Sequence, residues 1–162
     1  MPERPPHRLP LRSGDRGPIK RLLAAAALGV LVLSGCSEAS FQWRVVSIAG
    51  QRQCLPVAST LDAQQRGLQG VQRVVRPMVF AYSPPDTPSF WMDNTPSPLT
   101  GVWIGPRNRI VGYWHGQPQS QDLHPSPGPV SAVIEYRYGE AVPAVGAPFA
   151  IGPRCVTSDH RL

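Results

Sequence analysis

Twelve apolar residues, Leu22 to Leu33 (LLAAAALGVLVL), stand directly behind Lys20-Arg21. Beyond them the apolar residues come in short groups separated by Pro, Gly, Ser and Asn, a pattern that predicts β-strands between turns. Phe41 to Ile48 (FQWRVVSI), Cys54 to Ala58 and Met78 to Tyr82 (MVFAY) read as strands, as does Phe90 to Asn94, which Pro96 and Pro98 stop. Leu99 to Ile104 and Ile110 to His115 flank Pro106-Arg107-Asn108 as a hairpin, with Asn108 suited to the left-handed turn position. Val130 to Tyr138 and a short Pro148 to Ile151 complete the strands. Ser59-Thr60-Leu61-Asp62 matches a capping box, so a short helix is expected from Leu61 to about Leu68, ending near Gly67 to Gly70. Ser83 to Pro88 and Gln117 to Pro129 read as loops. The expected fold is mainly β (α+β): a small barrel-like or two-layer β domain of six to seven short strands with one short helix.

The twelve-residue apolar run is short of the roughly 20 residues that a membrane span needs. Behind a basic stretch it reads as a signal-peptide core. Leu33-Ser34-Gly35-Cys36 follows and resembles the bacterial lipobox. That resemblance implies cleavage before Cys36 and diacylglycerol on its thiol; an uncleaved anchor with a buried cysteine is the alternative. Two acyl chains hold a protein stably at a membrane. The expected organisation is a lipoprotein signal peptide at 1–35, a lipidated tether at 36–42, a single β-rich domain at 43–156 and a C-terminal tail at 157–162. The expected location is the cell envelope, on the outer side of the cytoplasmic membrane or, in a two-membrane cell, in the outer membrane.

Export changes how charge and cysteines are read. The formal charge is +6. Residues 1–35 hold six basic and two acidic residues, a net of +4, which leaves ten Arg and eight acids, a net of +2, in the rest. Those arginines are scattered and no nucleic-acid motif is present, so no nucleic-acid partner is expected. With Cys36 lipidated, Cys54 and Cys155 remain. In an oxidising compartment an even pair reads as a disulfide, although either could be a reactive thiol.

The segment Phe90-Trp91-Met92-Asp93-Asn94-Thr95, followed by Pro98-Leu99, resembles the FWMxNT..PL signature of the domain of unknown function 192. Arg66-Gly67-Leu68, Met78-Val79-Phe80, Arg109-Ile110-Val111, Val133-Ile134-Glu135 and Gly139 are similar to the family pattern in order. The resemblance covers roughly Thr60 to Gly146. Asp93 stands where a lysine is common and Thr100 where an aspartate is usual, so any carboxylate chemistry at that second position would be missing here. The resemblance implies a fold and an exported or tethered setting, with no established activity.

The candidate ligand site comprises Arg66, Trp91, Asp93, Asn94, Thr95 and Glu135. Trp91 would supply an aromatic wall, and Asn94 and Thr95 would orient a polar group. The plainer reading makes Trp91 core, with Asn94 and Thr95 bonding the backbone of a turn. Arg66 either grips a carboxylate or phosphate of a ligand, or pairs with Glu135 in a structural ion pair, or the two lie on solvated faces. No metal-ligand spacing is present, and there is no GxSxG, P-loop or GxGxxG, so no metal or cofactor is expected and no catalytic residue is assigned. The leading reading is a non-catalytic binding domain for a small molecule or a protein, held to membrane lipid through Cys36. An enzyme with a cleft around Asn94, Arg66 and Glu135 and a structural accessory of an envelope assembly are the alternatives.

Overall fold

A computed structural model describes residues 41–162. The expected signal peptide at 1–35 and the expected lipidation site Cys36 lie outside the described residues.

Strands β1 (Gln42–Ile48) and β2 (Gln51–Ala58) form a hairpin. Ala49 and Gly50 turn it with φ of 50° and 86°, and Gly takes that left-handed backbone without steric cost. Helix α1 (Leu61–Arg66) follows β2. The Thr60 side chain accepts a hydrogen bond from the Ala63 N–H, and the Gly67 N–H closes the helix on the Ala63 carbonyl. The chain then forms β3 (Met78–Asp86), β4 (Ser89–Phe90), β5 (Leu99–Ile104), β6 (Ile110–Gly116), β7 (His124–Pro125), β8 (Val130–Arg137) and β9 (Phe149–Arg154). Over the described residues the fold is strand-rich with one short helix, as expected.

Seven strands form one sheet in the order β6-β5-β8-β3-β2-β1-β9. All neighbours are antiparallel except β2 and β3, which α1 connects in parallel. Strands β4 and β7 pair separately. One face carries Val46, Leu55, Val79, Val102, Ile134 and Phe149 in a single cluster. Residues from the first and last strands can meet there only if the sheet bends over on itself, so this is the inner face. It is not a closed barrel, because β6 and β9 do not pair along their length; their ends meet through the isolated bridge Arg109–Pro148 and the hydrogen bonds beside it. The outer face carries Met78, Phe80, Leu99, Trp103, Trp114 and Val133, covered by α1 and by the segments around Leu68–Val74 and Met92. Strand β5 is buried at every position because both its faces are covered. Each fully buried Leu, Ile, Val, Phe or Met side chain stabilises the fold by about 1.5–3 kcal/mol.

Cys54 and Cys155 form a disulfide across 101 residues, with Cα atoms 6.0 Å apart. It links β2 to the residue after β9 and brackets β1, which lies between them in the sheet. The reactive-thiol alternative for these two cysteines therefore does not hold. A loop of that length gains about 4.7 kcal/mol in the chain-entropy description.

Three segments differ from the sequence reading. The expected loop at Gln117 to Pro129 carries the two-residue strand β7, which pairs with β4. The expected loop at Ser83 to Pro88 is extended strand as far as Asp86. Prolines fit there because the pairing with β8 breaks between Ala81 and Asp86, so their missing N–H groups interrupt no ladder. The expected strand from Phe90 to Asn94 stops at Phe90. A turn replaces it, with the Thr95 N–H bonded to the Met92 carbonyl at 3.0 Å. The C-terminal residues lie along the domain: Asp159 pairs with Arg76 at 2.7 Å, His160 meets the Trp43 ring at 5.2 Å, and Leu162 packs on the outer cluster.

Candidate functional site

The site grows from one row across the outer face. Trp114 on β6, Gly101 on β5, Glu135 on β8 and Met78 on β3 are successive cross-strand partners. Gly101 is required, since a Cβ there would lie 1.9 Å from the Trp114 indole. The indole thus lies over β5, in the row that holds Glu135. Alternation along β3 puts Phe80 and Tyr82 on the same face as Met78. A carboxyl is therefore delivered among methionine and aromatic side chains.

Two covering segments leave a gap above it. The end of α1 is pinned to β3 where Gln64 Nε2 donates to the Ala81 carbonyl at 2.8 Å. A Cβ on Gly67 would come within 3.2 Å of the Phe80 ring, so glycine lets the helix end sit close to the sheet. The turn after β4 is pinned in its own way. Met92 is fully buried, Gly70 N–H donates to the Asn94 carbonyl at 2.8 Å, and Gln121 Nε2 donates to Asp93 Oδ1 at 2.9 Å. Between the two lies a cleft of about 330 Å³.

Arg66, Trp91, Asp93, Thr95 and Glu135 all line this cleft. Asn94 does not. It takes φ of 53°, points its Nδ2 at Asp93 Oδ2 at 2.9 Å and serves the turn through its backbone. Thr95 is buried and donates its hydroxyl to the Asp93 carbonyl. Trp91 is not core: it is 49% exposed, and Met92 fills the interior instead. Phe80, Tyr82, Asp86 and Phe90 also line the cleft, and the sequence reading did not select them. The period-two spacing of Met78, Phe80 and Tyr82 could have found the Tyr.

Glu135 is 4% exposed and lines the cleft floor. Burial pushes its carboxyl up to about 8, and no hydrogen bond offsets that effect. Burial also pushes the Tyr82 phenol up, and the charges of Glu135 and Asp86 push it further. Arg66 and Glu135 share the cleft without forming an ion pair; the ion pairs among the described residues are Arg76–Asp159 and Arg161–Asp159. Arg66 sits exposed at the rim.

Thr100, at the position where an aspartate is usual, faces the other side of the sheet. It is buried, and its hydroxyl lies 3.2 Å from His115 Nδ1. A second hollow of about 600 Å³ beside the β5–β6 hairpin holds no buried polar side chain, and Arg109 there is bonded to the Gly146 carbonyl. Among the described residues, no group of three His, Cys, Asp or Glu could hold a metal ion.

The sequence profile of the domain of unknown function 192, described as an uncharacterised ACR family, matches residues 44–144. The chain belongs to this family. The match spans the cleft from α1 through Glu135. The domain is also similar to a crystal structure of a protein of unknown function from Novosphingobium aromaticivorans DSM 12444. The two are 29% identical over 76% of this chain and 89% of that one, with a TM-score of 0.54. A second crystal structure, from Sinorhizobium meliloti 1021 and described as a candidate transcription regulator, is 22% identical over 70% of this chain and 97% of that one. Its TM-score is 0.61, and the likeness is one of fold alone. No curated protein matches the chain.

Proposed function

We propose that this chain is an exported lipoprotein whose family domain binds a small molecule in the cleft between α1 and the turn at Met92–Thr95. One observation carries the binding reading: a buried carboxyl, Glu135, faces the cleft without a protein partner. Most buried polar groups are hydrogen-bonded, and an occupant of the cleft is a natural source of the bonds that Glu135 lacks. The volume, at about 30 Å³ per water, is on the order of ten waters and suits a compound of similar heavy-atom count.

The anchoring reading rests on the sequence around Cys36. Strand β1 begins at Gln42, six positions beyond Cys36 (42 minus 36), so a lipidated cysteine would hold the domain close to the bilayer. Among the described residues no helix is long and apolar enough to cross a membrane.

Two measurements test these readings. Small compounds titrated into the chain should shift the Trp91 indole and Thr95 amide NMR signals; shifts confined to residues outside the cleft would remove the binding reading. Mass spectrometry of the chain from bacterial membranes should give a product starting at Cys36 with a diacylglyceryl adduct, absent in Cys36→Ala. A product that retains residues 1–35 would remove the anchoring reading.

The same carboxyl favours a second reading. A Glu held protonated at neutral pH is a proton donor, as an enzyme's general acid would be. Such an enzyme would also need a base: Asp86 and Asp93 line the same cleft, whereas Tyr82, with its phenol pushed up, cannot supply one at neutral pH.

A further inference from the structure

We infer that the cleft takes a small organic cation bearing N–H donors, a primary ammonium or guanidinium, with the Glu135 carboxylate as its counter-ion and aromatic rings as its walls. This rests on the binding reading and names the ligand class.

The charges around the cleft support it. Three carboxyls line it, those of Glu135, Asp86 and Asp93, against one guanidinium, Arg66, which is exposed at the rim. Two of the carboxyls are occupied. Asp93 accepts from Asn94 Nδ2 and from Gln121 Nε2, both at 2.9 Å, and Asp86 Oδ1 accepts from the Thr87 N–H at 2.7 Å. Glu135 alone is both buried and uncommitted. The walls are Phe80, Phe90 and the half-exposed Trp91, whose ring faces attract cations. An anion would meet the opposite situation: one solvated guanidinium for it and up to three carboxylates against it.

Glu135 also needs hydrogen bonds, which a quaternary ammonium cannot give. A primary ammonium donates them and supplies the positive charge that makes a buried carboxylate tolerable. Binding is then an exchange. The Glu135 carboxylic acid and an alkylammonium ion become a carboxylate–ammonium ion pair, and the carboxyl proton is released to solvent. The charged or titratable groups that line the cleft with Glu135 are Tyr82 and Asp86 from β3, Arg66 from α1 and Asp93 from the turn, and Tyr82 feels the Glu135 charge. Tyr82 stays neutral throughout the working range because its phenol is pushed up.

The test uses the full chain and matched probes: n-butylamine, tetramethylammonium, n-butanol and butyrate. Calorimetry in buffers of different ionisation enthalpy should show butylamine binding at pH 7 with release of close to one proton. Its affinity should rise about tenfold per pH unit below pH 8 and level off above it. Glu135→Gln should abolish that slope and weaken binding at pH 8.5 by at least about tenfold. Tetramethylammonium should bind more weakly than butylamine. Butyrate binding that tightens as pH falls, or butanol binding as well as butylamine, would overturn the cation while leaving the binding reading intact. Failure of all four probes to reach the cleft would remove both. The pH slope of the unaltered chain decides the matter even where the Gln variant does not fold.

Discussion

The two faces of the large sheet come from alternate residues of the same strands, yet they treat buried polar groups differently. Thr95, Ser97, Thr100 and Glu135 are the buried polar side chains among the described residues. On the inner face Thr100 meets His115. Beside the cleft, Thr95 donates to the Asp93 carbonyl, and Ser97 donates to the Gln72 carbonyl at 2.8 Å. Of these four only Glu135 has no partner, and the buried Trp114 Nε1, in the same cross-strand row, also lacks one, although Ile134, one residue earlier on β8, is wholly buried in an apolar cluster. The inner face is finished by the chain itself, and the outer face is left incomplete where the cleft opens. A group that costs stability and is matched by nothing in its own chain points to something outside it.

Neighbouring substitutions on β8 test that contrast most strongly. Ile134→Ala should lower unfolding free energy by about 2–5 kcal/mol at any pH, since it opens a cavity in a closed core. Chemical denaturation would measure it, and a loss under about 1 kcal/mol would mean that the inner face is loosely packed.

Glu135→Gln should behave differently, with an effect that depends on pH. The ordinary carboxyl value is 4.5 and the folded one about 8. Below pH 4.5 both states are protonated. Between 4.5 and about 8 the folded protein keeps a proton that the unfolded chain has lost, so stability falls as pH rises and the loss is complete above about 8. At about 1.36 kcal/mol per unit, that is on the order of a few kcal/mol. The Gln variant lacks this slope, so it should gain on the parent protein between about pH 5 and pH 8.5. Parallel stability curves would show that Glu135 is solvated or paired.

The third test is on the outer face alone. Gly101→Ala should cost about 1–3 kcal/mol by displacing the Trp114 indole that lies across it. Gly50→Ala offers a contrast, because a Cβ there meets nothing and only the φ of 86° is strained. If Gly101→Ala proved the milder of the two, the indole would not be fixed over β5.

Much of this was legible in the sequence, and the exceptions have physical causes. Strands such as Leu99–Ile104 and Val130–Arg137 announce themselves as apolar runs bounded by Pro and Gly, and the Thr60 cap announces α1. The Ser83-Pro84-Pro85 stretch does not, because proline argues against a strand unless the ladder is known to break there. The turn at Met92–Thr95 hides behind Phe90-Trp91-Met92, which spells a strand by composition. The cleft was half legible. Motif positions supplied Arg66, Trp91, Asp93, Thr95 and Glu135, but their shared space depends on β3 pairing with β8, a contact between residues more than fifty positions apart in the chain. The burial of Glu135 follows from that pairing and from no local feature of Val133-Ile134-Glu135.

The smallest expected effect concerns Asn94, and it separates a ligand group from a turn group. Asn94 holds φ of 53° and lies outside the cleft lining. Asn is tolerated there because its short polar side chain relieves the left-handed backbone, here by bonding Asp93. Asn94→Gly should therefore change stability by only a few tenths of a kcal/mol, since glycine suits that φ. Asn94→Ala should cost about 1 kcal/mol, read by thermal or chemical denaturation. Both variants keep the backbone carbonyl that accepts from Gly70, so both should preserve the cleft and the pH slope of butylamine binding. Loss of binding in Asn94→Gly with stability unchanged would mean that the amide reaches the ligand directly. The outer face would then contribute two groups to its occupant, Glu135 from the sheet and Asn94 from the turn.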